Sequence, residues 1–170
     1  MAAGTANRGP AGGREDPRRE VERRVYVKAQ PRAVWAALHE PAWLPRLLPE
    51  LTVRTIDPTW PAAGAVRFGE AHLGLLRTAV RIESLEARPA TTFRLLVTGA
   101  EFAIEWGWRL EATAGGTRVV HDGSFDTFDR WAGLLVRLGR ESIGALAEQH
   151  LRALKERGES GWGEAAGPAA

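Results

Sequence analysis

The spacing of Glu70 and His72 would allow the two side chains to transfer protons together. They lie two residues apart, and side chains two apart on a β-strand point to the same face of the sheet. Val66 and Phe68 share that parity, so the pattern predicts that the carboxylate and the imidazole face the protein interior. There they could act as general acid and base or bind the polar end of a ligand. The alternative is that this end of the strand lies in solvent and that both side chains sit at its rim.

The other three histidines are far from one another in the sequence. His121 shares the parity of neighbouring apolar residues in a second strand, so it is expected to face inward, either as a satisfied core residue or as a third proton-transfer group. His39 ends one helix and His150 lies late in another, where structural roles are expected. The chain has no cysteine and no HExxH or HxxxH spacing, so neither a metal site nor a cofactor is predicted.

Composition and missing motifs exclude several classes of function. The sequence contains no G-x-S-x-G elbow and no phosphate-binding glycine motif, which argues against a serine hydrolase and a nucleotide enzyme. A formal net charge of +2 from 23 basic and 21 acidic residues is too small to indicate a nucleic-acid partner. No apolar run is long enough for a membrane span, and the first 20 residues lack the apolar segment of a signal peptide, so the expected location is the cytoplasm.

Aromatic side chains form a second candidate set. Phe102, Ile104, Trp106 and Trp108 alternate along one strand, so they share one face of it. Each aromatic residue buries about 150–250 Å², which is more surface than a thin core requires. Trp106 and Trp108 could therefore wall a ligand or fill the core, and the same two interpretations apply to Trp35 on a predicted helix.

The strand arginines mostly fall opposite the apolar parity, which predicts a solvated outer face. These residues are Arg67, Arg77, Arg81, Arg94 and Arg109. On this interpretation their charges are hydrated and do not contribute to an interior site.

The order of the elements follows from a change in hydrophobic period. A strand over residues 21–29 precedes a helix that begins at Pro31 and a short helical turn over 42–48. Further strands are predicted over 51–57, 65–72, 75–86, 91–98, 101–112 and 117–126, and one long helix over 130–157. Residues 1–19 are polar and rich in glycine, so they are expected to be a disordered arm. The folded domain is predicted over 20–158, with a disordered tail over 159–170.

Two segments resemble a known superfamily. The sequence VYVKAQPRAVWAALHEPAWLPRLLPE at residues 25–50 is similar to the opening of START-like proteins, the superfamily of polyketide cyclases, dehydratases and lipid-transport proteins. The sequence ATAGGTRVV at residues 112–120 is similar to the Gly-Gly-Thr hairpin that leads into their final strand. The resemblance implies an α+β helix-grip fold, in which a curved antiparallel sheet wraps around the long C-terminal helix and leaves a cavity between them.

The resemblance also implies where a ligand would bind. Cyclases of this superfamily often place an arginine in the pocket, and Arg81 is the candidate here. Gly139 on the long helix offers no side chain, which leaves either open space or close packing. The expected ligand-binding residues are Trp35, Phe68, Arg81, Phe102, Trp106, Trp108, Leu135 and Gly139.

Three functions are compatible with this pattern. The first is binding of a hydrophobic or aromatic small molecule in the internal cavity. The second is a polyketide cyclase or dehydratase, in which Glu70, His72 or His121 would be the catalytic acid or base. The third is a chaperone-associated or regulatory binding module without a small ligand. An acid–base pair that faces the cavity would favour the enzyme. A cavity lined only by apolar groups would favour the small-molecule binding protein, and a filled core would favour the regulatory module.

Deletion of residues 1–19 is expected to leave the fold intact, because the arm has almost no apolar surface to bury. The melting temperature of the shortened chain should differ from that of the full chain by less than about 2 °C. A fall of several degrees in a calorimetric scan would show that the arm belongs to the folded domain.

Overall fold

The computed structural model describes residues 21–40, 44–55, 57–73, 76–128 and 132–160. Within these ranges it describes only the backbone at 73, 76, 127 and 132–142. The predicted arm over 1–19 and most of the predicted tail over 159–170 lie outside the described residues, as do parts of the loops between elements.

Seven strands and three helices make up this part of the chain. In chain order they are β1 (Val21–Val27), α1 (Pro31–His39), α2 (Leu44–Leu47), β2 (Leu51–Thr55), β3 (Val66–Leu73), β4 (Leu76–Arg88), β5 (Thr92–Thr98), β6 (Phe102–Thr113), β7 (Gly116–Thr127) and α3 (Ala132–Glu159).

The strands form one antiparallel sheet in the order β1-β7-β6-β5-β4-β3-β2. Strands β2 to β7 each pair with their neighbours in the chain, whereas β1 pairs with β7, so that Val21 lies opposite Gly123. The curved sheet, the two short helices after β1 and the long α3 confirm the predicted helix-grip fold. The prediction of one unbroken C-terminal helix is also correct.

The inner face of β6 packs against the second half of α3. Phe102, Ile104, Trp106 and Trp108 are at most 2% exposed, as their alternation predicts. On α3, the buried side chains recur at intervals of three or four residues, which places them on one helical face. They are Ile143, Ala147, His150, Leu151, Ala153 and Leu154.

The end of α3 is fastened to β1 and α1. Arg157 forms an ion pair with Glu40 through two contacts of 2.9 and 3.1 Å, and Lys155 Nζ donates to the Tyr26 carbonyl at 2.9 Å. A Cβ atom at Gly158 would lie 2.6 Å from Val27 Cγ1, so only glycine permits this close approach. The last turn of α3 therefore fixes the position of the helix against the sheet.

Strand β3 has the opposite orientation to the prediction. Arg67 is only 2% exposed and Ala71 is 1% exposed, whereas Phe68 is 54% exposed. The guanidinium carbon of Arg67 lies 3.9 Å above the Trp60 ring, and that contact and the packing of Ala71 in the core account for the orientation. The apolar pair Val66 and Phe68 therefore does not mark the inner face.

Replacement of Gly123 by alanine should destabilise the fold, because the new Cβ would overlap the six-membered ring of Trp106. Such overpacking costs about 1–3 kcal/mol. The matched control is Gly144→Ala on α3, where the new Cβ would meet only the end of the Arg23 side chain at 3.2 Å and where alanine is the better helix former. Urea unfolding should show a lower free energy of unfolding for Gly123→Ala and no decrease for Gly144→Ala. Equal midpoints for the two variants would contradict the packing of Trp106 on Gly123.

Candidate functional site

A buried chain of hydrogen bonds joins the sheet to α3. His121 Nδ1 lies 2.7 Å from the Gly107 carbonyl oxygen, and His121 Nε2 lies 3.1 Å from His150 Nδ1. His150 Nε2 lies 3.0 Å from Oε1 and 3.2 Å from Oε2 of Glu50. The three side chains are no more than 4% exposed. We call Glu50, His150 and His121 the buried relay.

The Gly107 carbonyl fixes the direction of the protons along the relay. A carbonyl oxygen only accepts hydrogen bonds, so His121 Nδ1–H donates to it and His121 Nε2 is left as an acceptor. His150 Nδ1–H therefore donates to His121 Nε2. One further proton lies between His150 Nε2 and Glu50, which makes the relay neutral overall, either as imidazolium and carboxylate or as imidazole and carboxylic acid.

His121 is held in its neutral form. Complete burial lowers the pKa of His121 well below the usual value of 6.5, and the neighbouring His150 lowers it further. The hydrogen bond to Gly107 raises the pKa without offsetting those effects. A second proton on His121 would also point at the Nδ1–H of His150, so protonation breaks the relay.

Aromatic rings enclose the relay. The Trp108 ring stacks on His121 with centroids 4.4 Å apart and an interplanar angle of 10°. The Trp106 ring packs edge-on against His150 at 4.9 Å. The indole N–H groups of Trp106 and Trp108 are buried and have no hydrogen-bond acceptor within the described part of the protein.

The inward orientation of Glu70 and His72 is wrong. Glu70 Oε1 lies 2.6 Å from Arg54 Nη2, and His72 Nε2 lies 3.9 Å from Glu70 Oε2, with all three side chains partly exposed. The cause is the orientation of β3, which turns Arg67 and the alternate residues inward. Glu70 and His72 sit at the solvated face, and of the three predicted acid–base residues only His121 reaches the interior.

The predicted ligand-binding residues divide between the two faces. Arg81 lies on the outer face and pairs with Glu83, and Phe68 also points outward, so neither reaches the interior. Phe102 is buried, as are the two tryptophans of β6, and Trp35 packs edge-on against Phe93 at 5.9 Å. Leu135 and Gly139 lie in the part of α3 for which only the backbone is described.

A second polar group, Arg67, lies on the inner side of β3, although the sequence predicts it on the outer face. It is buried above Trp60, and its Nε and Nη1 atoms have no acceptor in the described structure. Burial lowers its pKa to about 10, so the group stays positively charged at neutral pH. Burial also lowers the pKa of His39, and the charge of Arg67 lowers it further.

Aromatic contacts connect Arg67 to the relay. The Trp60 and Phe93 rings lie 5.9 Å apart, and Phe93 stacks on Trp108 at the same centroid distance. Trp108 then stacks on His121. We call Trp60, Phe93 and Trp108 the aromatic row. It gives the inner face an apolar surface with a cation at one end and the neutral relay at the other.

Sequence reasoning missed Glu50, His150 and Trp60 as parts of this site. His150 carried a signal, because it is separated by three and four residues from the apolar Ala147 and Leu154 on α3, and an imidazole on such a face needs a buried partner. Glu50 lies 100 residues away along the chain, and nothing in its local pattern indicates that partner.

The described residues contain no group of three or more acidic or histidine side chains that could hold a metal ion. The relay is linear, so its three members do not converge on one point. Among the described helices, none has both the length and the apolar character needed to cross a membrane.

A sequence profile for proteins described as polyketide cyclase/dehydrase and lipid transport matches residues 18–159. The chain belongs to this family. No curated protein matches the sequence.

Solved structures show the same fold as this family member at low sequence identity. The protein TTHA0849 from Thermus thermophilus is 21% identical, with a TM-score of 0.64 over 81% of this chain and 94% of that chain. A START superfamily protein from Mycobacterium smegmatis is 13% identical, with a TM-score of 0.63 over 81% and 95% of the two chains. Ara h 8.0201 is 17% identical, with a TM-score of 0.55 over 79% and 96%.

Lowering the pH below 6.5 should destabilise the fold. The unfolded chain takes up a proton on His121 near its usual pKa of 6.5, whereas the folded chain does so only at much lower pH. Wherever the unfolded state binds more protons than the folded state, the free energy of unfolding decreases as the pH is lowered. For one group the decrease is up to about 1.4 kcal/mol per pH unit.

His39 acts in the same direction, since its pKa is also lowered, so the measurement uses the His39→Gln variant. Urea unfolding of this variant between pH 7 and 5 reports on the buried relay, in which His121 is held neutral, because the acidic groups with lowered pKa values change the stability mainly below their usual value of 4.5. A flat stability profile over that range would contradict the neutral state of His121.

Proposed function

We propose that this protein binds a hydrophobic small molecule between the inner face of the sheet and α3. The observation that carries the proposal is a set of buried donors on an apolar surface. The indole N–H groups of Trp60, Trp106 and Trp108 and the Nε and Nη1 atoms of Arg67 have no acceptor among the described residues. Leaving one such donor unsatisfied costs about 1–3 kcal/mol, so a completed core would contain few of them.

Ligand sites usually combine an apolar lining with a few oriented polar groups. The aromatic row supplies the lining here, and the unsatisfied donors supply the polar groups. The family description, which includes lipid transport, supports the same conclusion, since lipids are largely apolar. Phe93 and Trp108 are at most 2% exposed, so an aromatic or aliphatic body would pack against them after neighbouring side chains move aside, and its oxygen atoms would accept the free N–H groups.

The buried relay favours a second candidate, a cyclase or dehydratase. His121 is neutral at pH 7 and can accept a proton, and its lowered pKa makes it a weaker base than a free imidazole. Its Nε2 atom already accepts from His150, so His121 would act as a base only if that hydrogen bond were exchanged for one to the substrate. Cyclisation of a poly-β-ketone, followed by chromatography, should then disappear in His121→Phe.

A neutral apolar fluorophore, N-phenyl-1-naphthylamine, tests the binding proposal. The fluorophore should bind and quench tryptophan emission, and Trp108→Leu should weaken its binding at least tenfold, because the variant removes part of the aromatic row. Circular dichroism should confirm that the variant remains folded.

The matched control is Tyr26→Leu. Tyr26 lines an open surface groove of about 490 Å³ together with Arg24 and Arg118, where an apolar dye could adsorb. The control should leave the affinity unchanged. If Tyr26→Leu abolishes binding while folded Trp108→Leu retains it, the fluorophore binds the surface and the proposed interior site is misplaced.

A further inference from the structure

Among the described arginines on the strands of the sheet, Arg67 and Arg77 form no ion pair, and Arg77 is exposed whereas Arg67 is buried. Arg54, Arg81, Arg88, Arg94, Arg109 and Arg118 each lie within ion-pair distance of a glutamate. Arg67 is 2% exposed, and none of the described carboxylates forms an ion pair with it. Burial alone accounts for the lowering of its pKa.

The environment of Arg67 does not neutralise its charge. A pKa of about 10 leaves the guanidinium protonated at neutral pH. The Trp60 ring at 3.9 Å attracts the cation through its π face, but a ring accepts no hydrogen bond from Nε or Nη1 in the plane of the guanidinium. An isolated buried charge is strongly unfavourable, so an anion that contacts the guanidinium would stabilise this site.

The position of the charge defines what kind of anion fits. Arg67 pairs in register with Ile82, which is 2% exposed on the inner face of β4, and the aromatic row runs from its guanidinium towards His121. A molecule lying along Phe93 and Trp108 would therefore bring one end to Arg67. One guanidinium balances one negative charge, which matches a carboxylate better than a phosphate monoester with nearly two.

We propose that the ligand is an apolar carboxylic acid, bound as its anion, and that Arg67 holds the carboxylate while the aromatic row holds the apolar body. This inference rests on the proposed interior binding site and adds the chemical class of its ligand. Trp60 has two roles in it: its ring supports the guanidinium, and its unsatisfied Nε1–H offers a neutral donor in the same region.

Two probes of nearly equal shape test the inference, 2-naphthoate and the neutral 2-naphthamide. Isothermal titration calorimetry at pH 7 should show that the wild-type protein binds 2-naphthoate at least tenfold more tightly than 2-naphthamide. Arg67→Met should remove that preference, because 2-naphthoate loses its cationic partner and its affinity falls to about that of 2-naphthamide. Arg81→Met, which removes an arginine from the outer face, should retain the preference.

The outcomes separate this inference from the proposed function. Equal affinities for both probes in the wild-type protein would overturn the carboxylate assignment and leave interior binding intact. If the wild-type protein binds neither of the two probes nor N-phenyl-1-naphthylamine, the carboxylate assignment and the proposed interior site are both overturned. A preference for 2-naphthoate that survives in Arg67→Met would show that another group holds the carboxylate.

Thermal unfolding distinguishes a binding role for Arg67 from a structural one. Without ligand, Arg67→Met should raise the melting temperature, because it removes an unpaired buried charge. A purely structural arginine would lower the melting temperature when replaced. If the methionine variant does not fold, Arg67→Lys provides the second measurement: it keeps the charge but not the planar donors, so the preference for 2-naphthoate should fall without disappearing, and an unchanged preference would contradict the assignment.

Discussion

The hydrogen bond from His121 to the Gly107 carbonyl determines the chemistry of the interior. Because a carbonyl oxygen cannot donate, this contact of 2.7 Å sets the tautomer of His121, then that of His150, and leaves a single proton to share with Glu50. The relay thereby joins the sheet, the residue before β2 and α3, and it fixes the hydrogen-bonding roles of both His121 nitrogens and of His150 Nδ1. The relay therefore has no net charge, whereas Arg67 on the same face carries a positive charge.

Most of the fold could be predicted from the sequence because its signals are local. Pro31 begins α1, the alternation over β6 identifies its inner face, and the change from period two to a helical period marks α3. Each of these features depends on residues a few positions apart. The fold order and the superfamily resemblance agree with the structure because both depend on such short segments.

The site was less predictable because it depends on contacts between distant residues. Glu50 and His150 are 100 residues apart, and neither has a neighbour in the sequence that indicates the other. The predicted orientation of β3 was wrong for a related reason. This strand lies next to the edge of the sheet and carries apolar residues on both faces, and its contact with Trp60 from the preceding loop decides which face turns inward. A pattern of period two shows which residues share a face of the strand but not which face points to the core. This single ambiguity led to the wrong predicted positions of Arg67, Glu70 and His72.

The pairing of β1 with β7 also constrains how the protein forms on the ribosome. Val21 lies opposite Gly123, so β1 emerges roughly 100 residues before its partner, which at about 5–20 residues per second corresponds to some 5–20 s of synthesis. Throughout that interval the early strand has no neighbour, while β2 to β6 can already form a meander. Strand β1 carries three charged residues among its seven. Charged side chains on an unpaired strand favour its solvation and disfavour its pairing with other nascent chains.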